Sequence, residues 1–494
     1  MTDPSPSAPA RRTVAIVMAA GLGTRMKSTT PKVLHRICGR TIVEWVIEAT
    51  AAATGTRPLV VYSPATEAVR EAVAGLADTV LQEVPRGTGD AVRAALGALP
   101  DEVDEVLVLN GDVPLMRAEL LSALLDARRL DQAALALVAV DAIDPSGLGR
   151  VVRNEGGTVE RIVEEKDATE DELGISEINA GLYAVDATWL RRRIGDLKPS
   201  PTTGELYVTE LVSLARADGR LVAALDVEDD GRLTGINDRA QLAHAEWDMR
   251  VEINDRWMRA GVTMQDPSTA YVDHGVQLAE DVTLEPNVIL RGRTTVGRGT
   301  RIGAGSQVYD STIGEGCVVW ASVVERSTIE DTATVGPMSH LRPGAHVGRR
   351  SEVGNFAEIK NSRLGEHVRQ HHMSYLGDAE LGADTNVGAG TITANYDGVR
   401  KHRTTIGERV FLGVDTMLRA PVTLGDGAKT GAGAVVTRDV PAGMLAVGVP
   451  ARIREIRATE PTPAQPANAA DASAADPGTA ADASPAAQPE GAAG

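Results

Sequence analysis

Cysteine is nearly absent. Only Cys38 and Cys317 occur in 494 residues, too few for a disulfide framework, which excludes the small stapled secreted folds and fits a reducing cytoplasm. Aromatic residues are scarce as well, at 3 % of the chain, so the interior has to be built from aliphatic side chains. No apolar run approaches the roughly 20 residues that cross a bilayer. The short run at residues 14–20, after Arg11 and Arg12, imitates the start of a signal peptide. It opens into a glycine loop, however, and reads better as a buried first strand. Basic charge is in short supply too: 50 Lys and Arg against 68 Asp and Glu give a formal net charge of −18. That argues against nucleic acid or an anionic membrane as partner. An anionic substrate must then be met by local clusters of Arg and Lys.

What the chain has is glycine, 50 residues of it, and a repeat. An aliphatic residue recurs at every sixth position through Leu278, Leu284, Leu290, Val296, Ile302 and Val308. The register slips by one at Ile313 and Val319. It resumes through Val323, Ile329, Val335, Leu341, Val347, Val353 and Ile359, and later through Ile406, Leu412, Leu418 and Leu424. A period near six is neither a helix nor a hairpin. Three short strands per turn, each with one inward aliphatic residue and a Gly, Asn or Asp at the corner, predict a hexapeptide parallel β-helix. Such a prism has long flat faces, and adjacent prisms can build a site between them.

The repeat divides the chain. Residues 1–12, rich in Ser and Pro, and 458–494, almost wholly Ala, Pro, Asp and small polar residues, lack the apolar area to order themselves and read as disordered tails. Over 13–238, apolar runs at 14–20, 58–62, 105–109 and 133–140 alternate with helical patterns at 41–53, 88–98 and 117–129. That alternation predicts an α/β domain with a mixed, mostly parallel sheet. Within 239–262, Leu242, Ala245, Met249, Ile253 and Trp257 recur at three- or four-residue spacing, predicting one amphipathic helix that links this domain to the prism at 263–457.

The first apolar strand runs into Gly21-Leu22-Gly23-Thr24-Arg25-Met26-Lys27, with Pro31-Lys32 following. Backbone amides freed by glycine, with Arg25 and Lys32 reaching over, suit a triphosphate. The loop lacks the third glycine of the dinucleotide fingerprint and the Gly-Lys-Ser/Thr ending of a P-loop, so an ordinary strand-to-helix turn stays open. Further along, Gln82 with Gly87-Thr88, and Asn110-Gly111-Asp112, fall at later strand ends, where open α/β sheets bind ligands. By itself, Asp112 could as well cap the following helix.

Taken in order, with Gly147-Leu148-Gly149-Arg150, residues 162–167, Glu177-Ile178-Asn179 and Gly235-Ile236-Asn237, these segments resemble the sugar-1-phosphate nucleotidyltransferases. With the prism behind them, residues 13–450 resemble the bifunctional N-acetylglucosamine-1-phosphate uridyltransferase/glucosamine-1-phosphate acetyltransferase family. The resemblance implies a Rossmann-like first domain and a left-handed β-helix, although ordinary parallel crossovers are right-handed. It places UTP on Met18, Ala19, Ala20, Gly21, Gln82, Gly87 and Thr88, with Asn110 and Gly111 in the same pocket. It places N-acetylglucosamine 1-phosphate on Gly149, Glu164 and Asn179, and Mg²⁺ on Asp112 and Asn237, hard oxygen ligands of the kind that ion takes. A sugar phosphate is already ionised at neutral pH, so attack on the α-phosphate needs positioning and charge neutralisation, from Arg25 and Lys32 among others, rather than a protein base.

In the prism, residues 369–375 carry a polar break, Arg369-Gln370-His371-His372-Met373-Ser374-Tyr375, and 393–405 form a second, inserted one. The two histidines can be surface side chains, a metal pair or a catalytic base. The resemblance makes His372 the base for acetyl transfer from acetyl-CoA to glucosamine 1-phosphate. A base is needed because the substrate amine is largely protonated at neutral pH, and imidazole titrates in the right range. It also puts the sugar phosphate on Arg342 and Lys360, the sugar on Tyr375 and Asn386, and acetyl-CoA on Ala389, Asn395, Tyr396 and Ala432. Two positions depart from the family: Val414 stands where a hydroxyl is usual and Val449 where an arginine is usual, with Arg452 near enough in sequence to substitute. The resemblance further implies a cytoplasmic homotrimer whose product feeds cell-envelope polysaccharide. A nucleotidyltransferase whose prism serves only for oligomerisation or regulation, and a non-catalytic assembly protein, are the rival readings.

Overall fold

The computed structural model describes residues 11–456; residues 1–10 and 457–494, which hold most of both expected tails and the last residue of the expected prism domain, lie outside the described residues. The predicted alternation is present. Strands Thr13–Met18, Leu59–Tyr62, Glu105–Asn110 and Leu135–Asp141 and helices Ile42–Thr54, Thr88–Leu96 and Ala118–Leu130 fall on the seven segments read from the sequence. In space the main sheet runs Val222–Val227, Leu135–Asp141, Glu177–Asp186, Glu105–Asn110, Thr13–Met18, Leu59–Tyr62, Asp78–Leu81. Every neighbouring pair along it is parallel except the two made by Glu177–Asp186, which is antiparallel to both partners. That strand and the hairpin Arg150–Arg153/Val159–Val163 carry no clear period in sequence. Glu177–Asp186 is buried on both faces, so alternation is not required of it.

Helix Arg239–Arg259 is the predicted link. Asp238 caps it, accepting from the amides of Ala240 and Gln241 at 2.9 Å each. Its apolar residues Ala245, Met249 and Ile253 join Ile37, Trp45 and Ile236 of the first domain and Met264 and Val272 of the prism in one buried cluster. Cys38 is clamped at this junction: its amide donates to Glu246 at 2.8 Å and its carbonyl accepts from the His274 amide at 2.9 Å. Burial pushes its thiol up, well out of the reactive range.

The prism begins two strands before the repeat is visible, at Thr263–Met264, and stacks three sheets of 12, 10 and 9 strands, parallel except that the last strand, Arg452–Glu455, is antiparallel to Met444–Val447. These are the stacked hexapeptide coils of a left-handed parallel β-helix. The inward residue of the coil after Val319 is Val324, fully buried, and not Val323, which points outward. The register therefore loses a residue again there. Steps of five instead of six, such as Val308 to Ile313 and Ile359 to Leu364, share a corner geometry. Their corners contain Asp310, Ala321, Arg326, Asn361 and Asp378, all with φ between 43° and 50°, whereas the left-handed residues of six-residue corners, such as Thr332, Met338, Arg350 and Phe356, have φ between 56° and 59°. Leu290, Val308, Val324, Leu341, Ile359 and Leu376 stack inside with no exposed surface. Each such buried aliphatic side chain is worth about 1.5–3 kcal/mol.

Candidate functional sites

At the carboxyl ends of the parallel strands lies a cavity of about 280 Å³ lined by Met18, Ala19, Ala20, Gly21, Lys32, Gln82, Gly87, Thr88, Asn110 and Asp112 among others. Nearly the whole set expected for the nucleotide is brought together. Close backbone approach fixes its glycines. A Cβ on Gly111 would come within 2.9 Å of the Met18 carbonyl, and one on Gly87, at φ +110°, within 2.5 Å of the Leu206 carbonyl. Gln82 is buried, with its amide donating to Asp90 at 2.9 Å and to the Gly87 carbonyl at 3.2 Å. The Thr88 hydroxyl accepts from the Val208 amide at 2.9 Å. Arg25, in the short turn Thr24–Met26, is exposed and lies outside this lining.

Lys32, Asp112 and Asn237 meet at the cavity wall. The Lys32 ammonium forms an ion pair with one Asp112 oxygen and donates to the Asn237 side-chain oxygen at 3.0 Å. The other Asp112 oxygen is buried with no partner. Asn237 is held just before the linker helix, its amide donating to Gln241 at 2.7 Å. A carboxylate with an orphaned oxygen beside an amide oxygen suits a hard cation that keeps water or phosphate for its other ligands, so the residues fit Mg²⁺. Among the described residues no group of three or more His, Cys, Asp or Glu could hold a metal alone.

The expected sugar residues form a second cluster. The Asn179 amide donates to the Gly149 carbonyl at 2.9 Å, and the Gly149 α-carbon faces the Glu164 carboxylate, where a Cβ would sit at 3.5 Å. Burial raises the Glu164 carboxyl above its usual range, against a 3.0 Å hydrogen bond from the Thr209 hydroxyl. Asn110 bridges the two clusters, because a Cβ on Gly181, two residues past Asn179, would lie 2.6 Å from its side-chain nitrogen. Sequence reasoning missed the wall supplied by residues 203–209. Glu205 lines the nucleotide cavity and Thr209 meets Glu164, yet this stretch is irregular turn with no period to read.

On the prism, a cavity of about 540 Å³ is lined by His372, Asn386, Ala389, Phe411, Val414 and Ala432, among others. His372, Ala389, Val414 and Ala432 each stand two residues past the inward residue of successive coils, so they share one corner. At the next position Met338, Phe356 and Met373, 60–65 % exposed, give way to Gly390, Asp415 and Gly433. The cavity is the notch where bulky corner residues end, and His372 stands at the step. His371, its neighbour, is taken up by Glu352 at 2.6 Å.

Arg342, Lys360, Tyr375, Asn395 and Tyr396 lie outside this cavity, on the adjoining face. Register stacks Leu341 on Ile359 and Lys360 beside Gly377, which puts Arg342 and Lys360 on neighbouring coils. Lys401, in the inserted loop, crowds the Lys360 ammonium with like charge, and with Arg342 holds it below the ordinary lysine range. Three cations thus converge, and Lys401 was not read from the sequence, though its loop was. Arg342 also pairs with Glu358 at 2.7 Å. Over Gly377, where a Cβ would meet the Tyr375 hydroxyl at 2.3 Å and the Asn395 nitrogen at 2.8 Å, only glycine leaves room. Asn395 is largely buried and donates to Asp378 at 2.5 Å, while Tyr396 is exposed and donates to the Gly398 carbonyl at 2.6 Å. Val414 is half exposed in the notch, Val449 is 75 % exposed, and Arg452 is exposed on the terminal strand.

A glycine-lined sheet mouth with a lysine, a carboxylate and an amide at its wall, joined to a hexapeptide prism with a histidine notch, is the architecture of a nucleotidyltransferase fused to a hexapeptide-repeat transferase. Residues 15–157 match the MobA-like NTP transferase domain, and residues 403–438 match the bacterial transferase hexapeptide model of six repeats. The chain is 44% identical over 436 residues to the bifunctional protein GlmU of Pelobacter propionicus, covering 88% of this chain and 95% of that one. It is 44% identical over 439 residues to that of Rubrobacter xylanophilus (89% and 93%) and 44% over 468 to that of Thermobifida fusca (93% and 97%). The chain belongs to the bifunctional GlmU family.

Proposed function

We infer that the protein makes UDP-N-acetylglucosamine in two consecutive transfers, acetylating glucosamine 1-phosphate on the prism and uridylylating the product at the sheet mouth. The reading carries most weight from one observation: the phosphate-loop cavity, the paired oxygens of Asp112 and Asn237, and the His372 notch occur in one chain alike over most of its length to bifunctional GlmU proteins. In this reading residues 13–238 carry uridylyl transfer, 239–262 link, and 263–457 carry acetyl transfer.

For uridylyl transfer, Met18 to Gly21, Gln82, Gly87, Thr88, Asn110 and Gly111 hold the UTP, and Gly149, Glu164 and Asn179 orient the sugar. The sugar phosphate oxygen attacks the α-phosphorus, a P–O bond forms, and the bond to the β-phosphate breaks to release pyrophosphate. Mg²⁺, held by Asp112 and Asn237, would supply neutralisation of phosphate charge. Lys32 and, once swung inward, Arg25 neutralise the rest.

For acetyl transfer, Arg342, Lys360 and Lys401 form the seat of the sugar phosphate, with Tyr375 and Asn386 on the sugar and Ala389, Asn395, Tyr396 and Ala432 toward acetyl-CoA. His372 takes a proton from the substrate amine, whose lone pair attacks the thioester carbonyl; the C–N bond forms, the C–S bond breaks and the thiol leaves. The exposed corner row of Met338, Phe356 and Met373 with Trp320 is an apolar strip fit to pack on a second copy. A closed homotrimer, with the inserted loop reaching a neighbouring prism, is part of this reading, as is a cytoplasmic place of action. No helix among the described residues is long and apolar enough to cross a membrane.

The test pairs two assays on the purified full chain: thiol release from acetyl-CoA with glucosamine 1-phosphate, and pyrophosphate release from UTP with N-acetylglucosamine 1-phosphate and Mg²⁺. Both are expected. Pyrophosphate release without thiol release would favour the second reading, in which the prism is only an assembly platform; Val414 and Val449 give that reading its support.

A further inference from the structure

We propose that Lys32 is the resident counter-ion of the metal ligands, and that its ammonium must leave Asp112 and Asn237 for a divalent cation to enter. The proposal rests on the uridylyl-transfer reading and concerns how that site is switched on. The Lys32 ammonium touches each of the two side chains that suit a metal: it pairs with one Asp112 oxygen, leaving the adjacent one without a partner, and lies 3.0 Å from the Asn237 oxygen. Both ion-pair partners are largely shielded, their side chains 13% and 18% exposed. In such a place a like-charged neighbour is poorly screened. A divalent cation on these oxygens would stand within contact distance of a second positive charge, so the two cations exclude one another.

The geometry also gives the ammonium somewhere to go. The base of the Lys32 side chain is pinned. Gly23, at φ +66°, lies along the stem: a Cβ there would fall 2.4 Å from the Lys32 Cβ and 3.1 Å from its Cγ and Cδ. Only the end of the stem, beyond Cδ, is left to turn. Lys32 itself lines the nucleotide cavity with Ala20, Gly21 and Gln82, so a turn of the stem carries its charge from the carboxylate into the space a triphosphate fills. A bound triphosphate would hold the displaced ammonium and clear Asp112; a bound cation would release the ammonium toward the phosphates. By linkage each then strengthens the other. Asp112 does not lose its charge balance in either state, which is why the buried, unpartnered second oxygen can wait for the metal.

The consequence is opposite to that of an ordinary metal-site neighbour: removing Lys32 should improve metal binding by the free protein. Mn²⁺ alone serves as the probe, titrated into the full-length chain without nucleotide and followed by the loss of its free electron-spin signal. Lys32→Met is expected to bind Mn²⁺ about tenfold more tightly than wild type, and Asp112→Asn to abolish binding in both backgrounds. Equal or weaker binding by Lys32→Met overturns the proposal, as does the absence of binding in either protein at millimolar Mn²⁺. A second readout needs no variant. In the wild type, brief acylation followed by mass spectrometry should label Lys32 several-fold more with saturating Mn²⁺ than without, and equal or reduced labelling overturns the exchange. Wild-type pyrophosphate release is measured in parallel. If that is missing while the exchange is seen, the functional reading falls and the counter-ion role stands; if turnover is normal without the exchange, the reverse holds.

Discussion

At the sheet mouth the polar groups already have partners within one chain, whereas on the prism the most important one does not. Lys32 binds Asp112 and Asn237, Gln82 binds Asp90, Thr88 takes the Val208 amide and Glu164 takes the Thr209 hydroxyl. His372 stands exposed at a notch, and its imidazole makes no hydrogen bond among the described residues. A site made by a crossing sheet, its loops and a helix end has walls on several sides. A prism corner has a wall on one side only, so a second surface must close it. The uridylyl site should therefore behave as a property of one chain, and the acetyl site as a property of an assembly.

The sharpest way to break that comparison is to disable each site separately. Asp112→Ala should lower uridylyl transfer by about a thousandfold or more, because a transition-state charge partner is lost, while acetyl transfer stays within about twofold. His372→Ala should do the converse, with acetyl transfer falling by roughly 10²–10⁴ and uridylyl transfer untouched. Initial rates of pyrophosphate and thiol release on the same preparations decide both. Loss of both activities in either variant would mean that the sites are not independent.

Acid should divide the two regions as well. Glu105 opens a central strand with no exposed surface; it accepts from Arg129 at 2.6 and 2.9 Å, from Arg11 at 3.1 Å, and forms an ion pair with Arg128. Burial alone would raise its carboxyl, but hydrogen bonds from Arg129 and Arg128 prevail and hold it down at about 2. An unfolded glutamate titrates near 4.3, so this pairing stabilises the folded domain fully above about that pH and is lost as pH falls toward 2. Glu105→Gln should cost about 3 kcal/mol at neutral pH, and the difference from wild type should shrink steadily between pH 5 and 3. Denaturant unfolding followed at the tryptophans measures it. A mutant gap that stays constant with pH would remove Glu105 as the cause.

The uneven legibility of the sequence has the same origin as the uneven sites. The prism announces itself because each coil repeats one inward residue at a fixed step, so Leu278 to Val308 fix both fold and faces. Its short corners misled the register at Val323, since a left-handed Ala321 leaves no mark in an aliphatic pattern. In the first domain, motifs with glycine and charge at strand ends were readable, and Met18, Gly21, Lys32, Gln82, Thr88 and Asp112 do line one cavity. What could not be read was long-range. Nothing local says that the Lys32 ammonium rests on Asp112 and Asn237, 80 and 205 residues away. Nor does anything local place Thr209 against Glu164, 45 residues distant, or Lys401 beside Lys360. Family resemblance supplied the roles; tertiary contact supplied the company each residue keeps.

The smallest expected effect is the most specific to this chain. Val414 stands in the His372 corner column and lines the notch with Ala389 and Ala432, where relatives are expected to offer a hydroxyl to the acyl donor. Two methyl groups cannot donate or accept, so a polar atom of the donor buried against them goes without a partner. Val414→Thr restores a hydroxyl at nearly the same volume. A restored neutral hydrogen bond is worth about 0.5–1.5 kcal/mol, which corresponds to a two- to tenfold fall in the KM for acetyl-CoA. The KM for glucosamine 1-phosphate and the whole of uridylyl transfer should not move. If the acetyl-CoA KM also stays put, the donor does not run along this corner, and the half-open notch must receive it from another side.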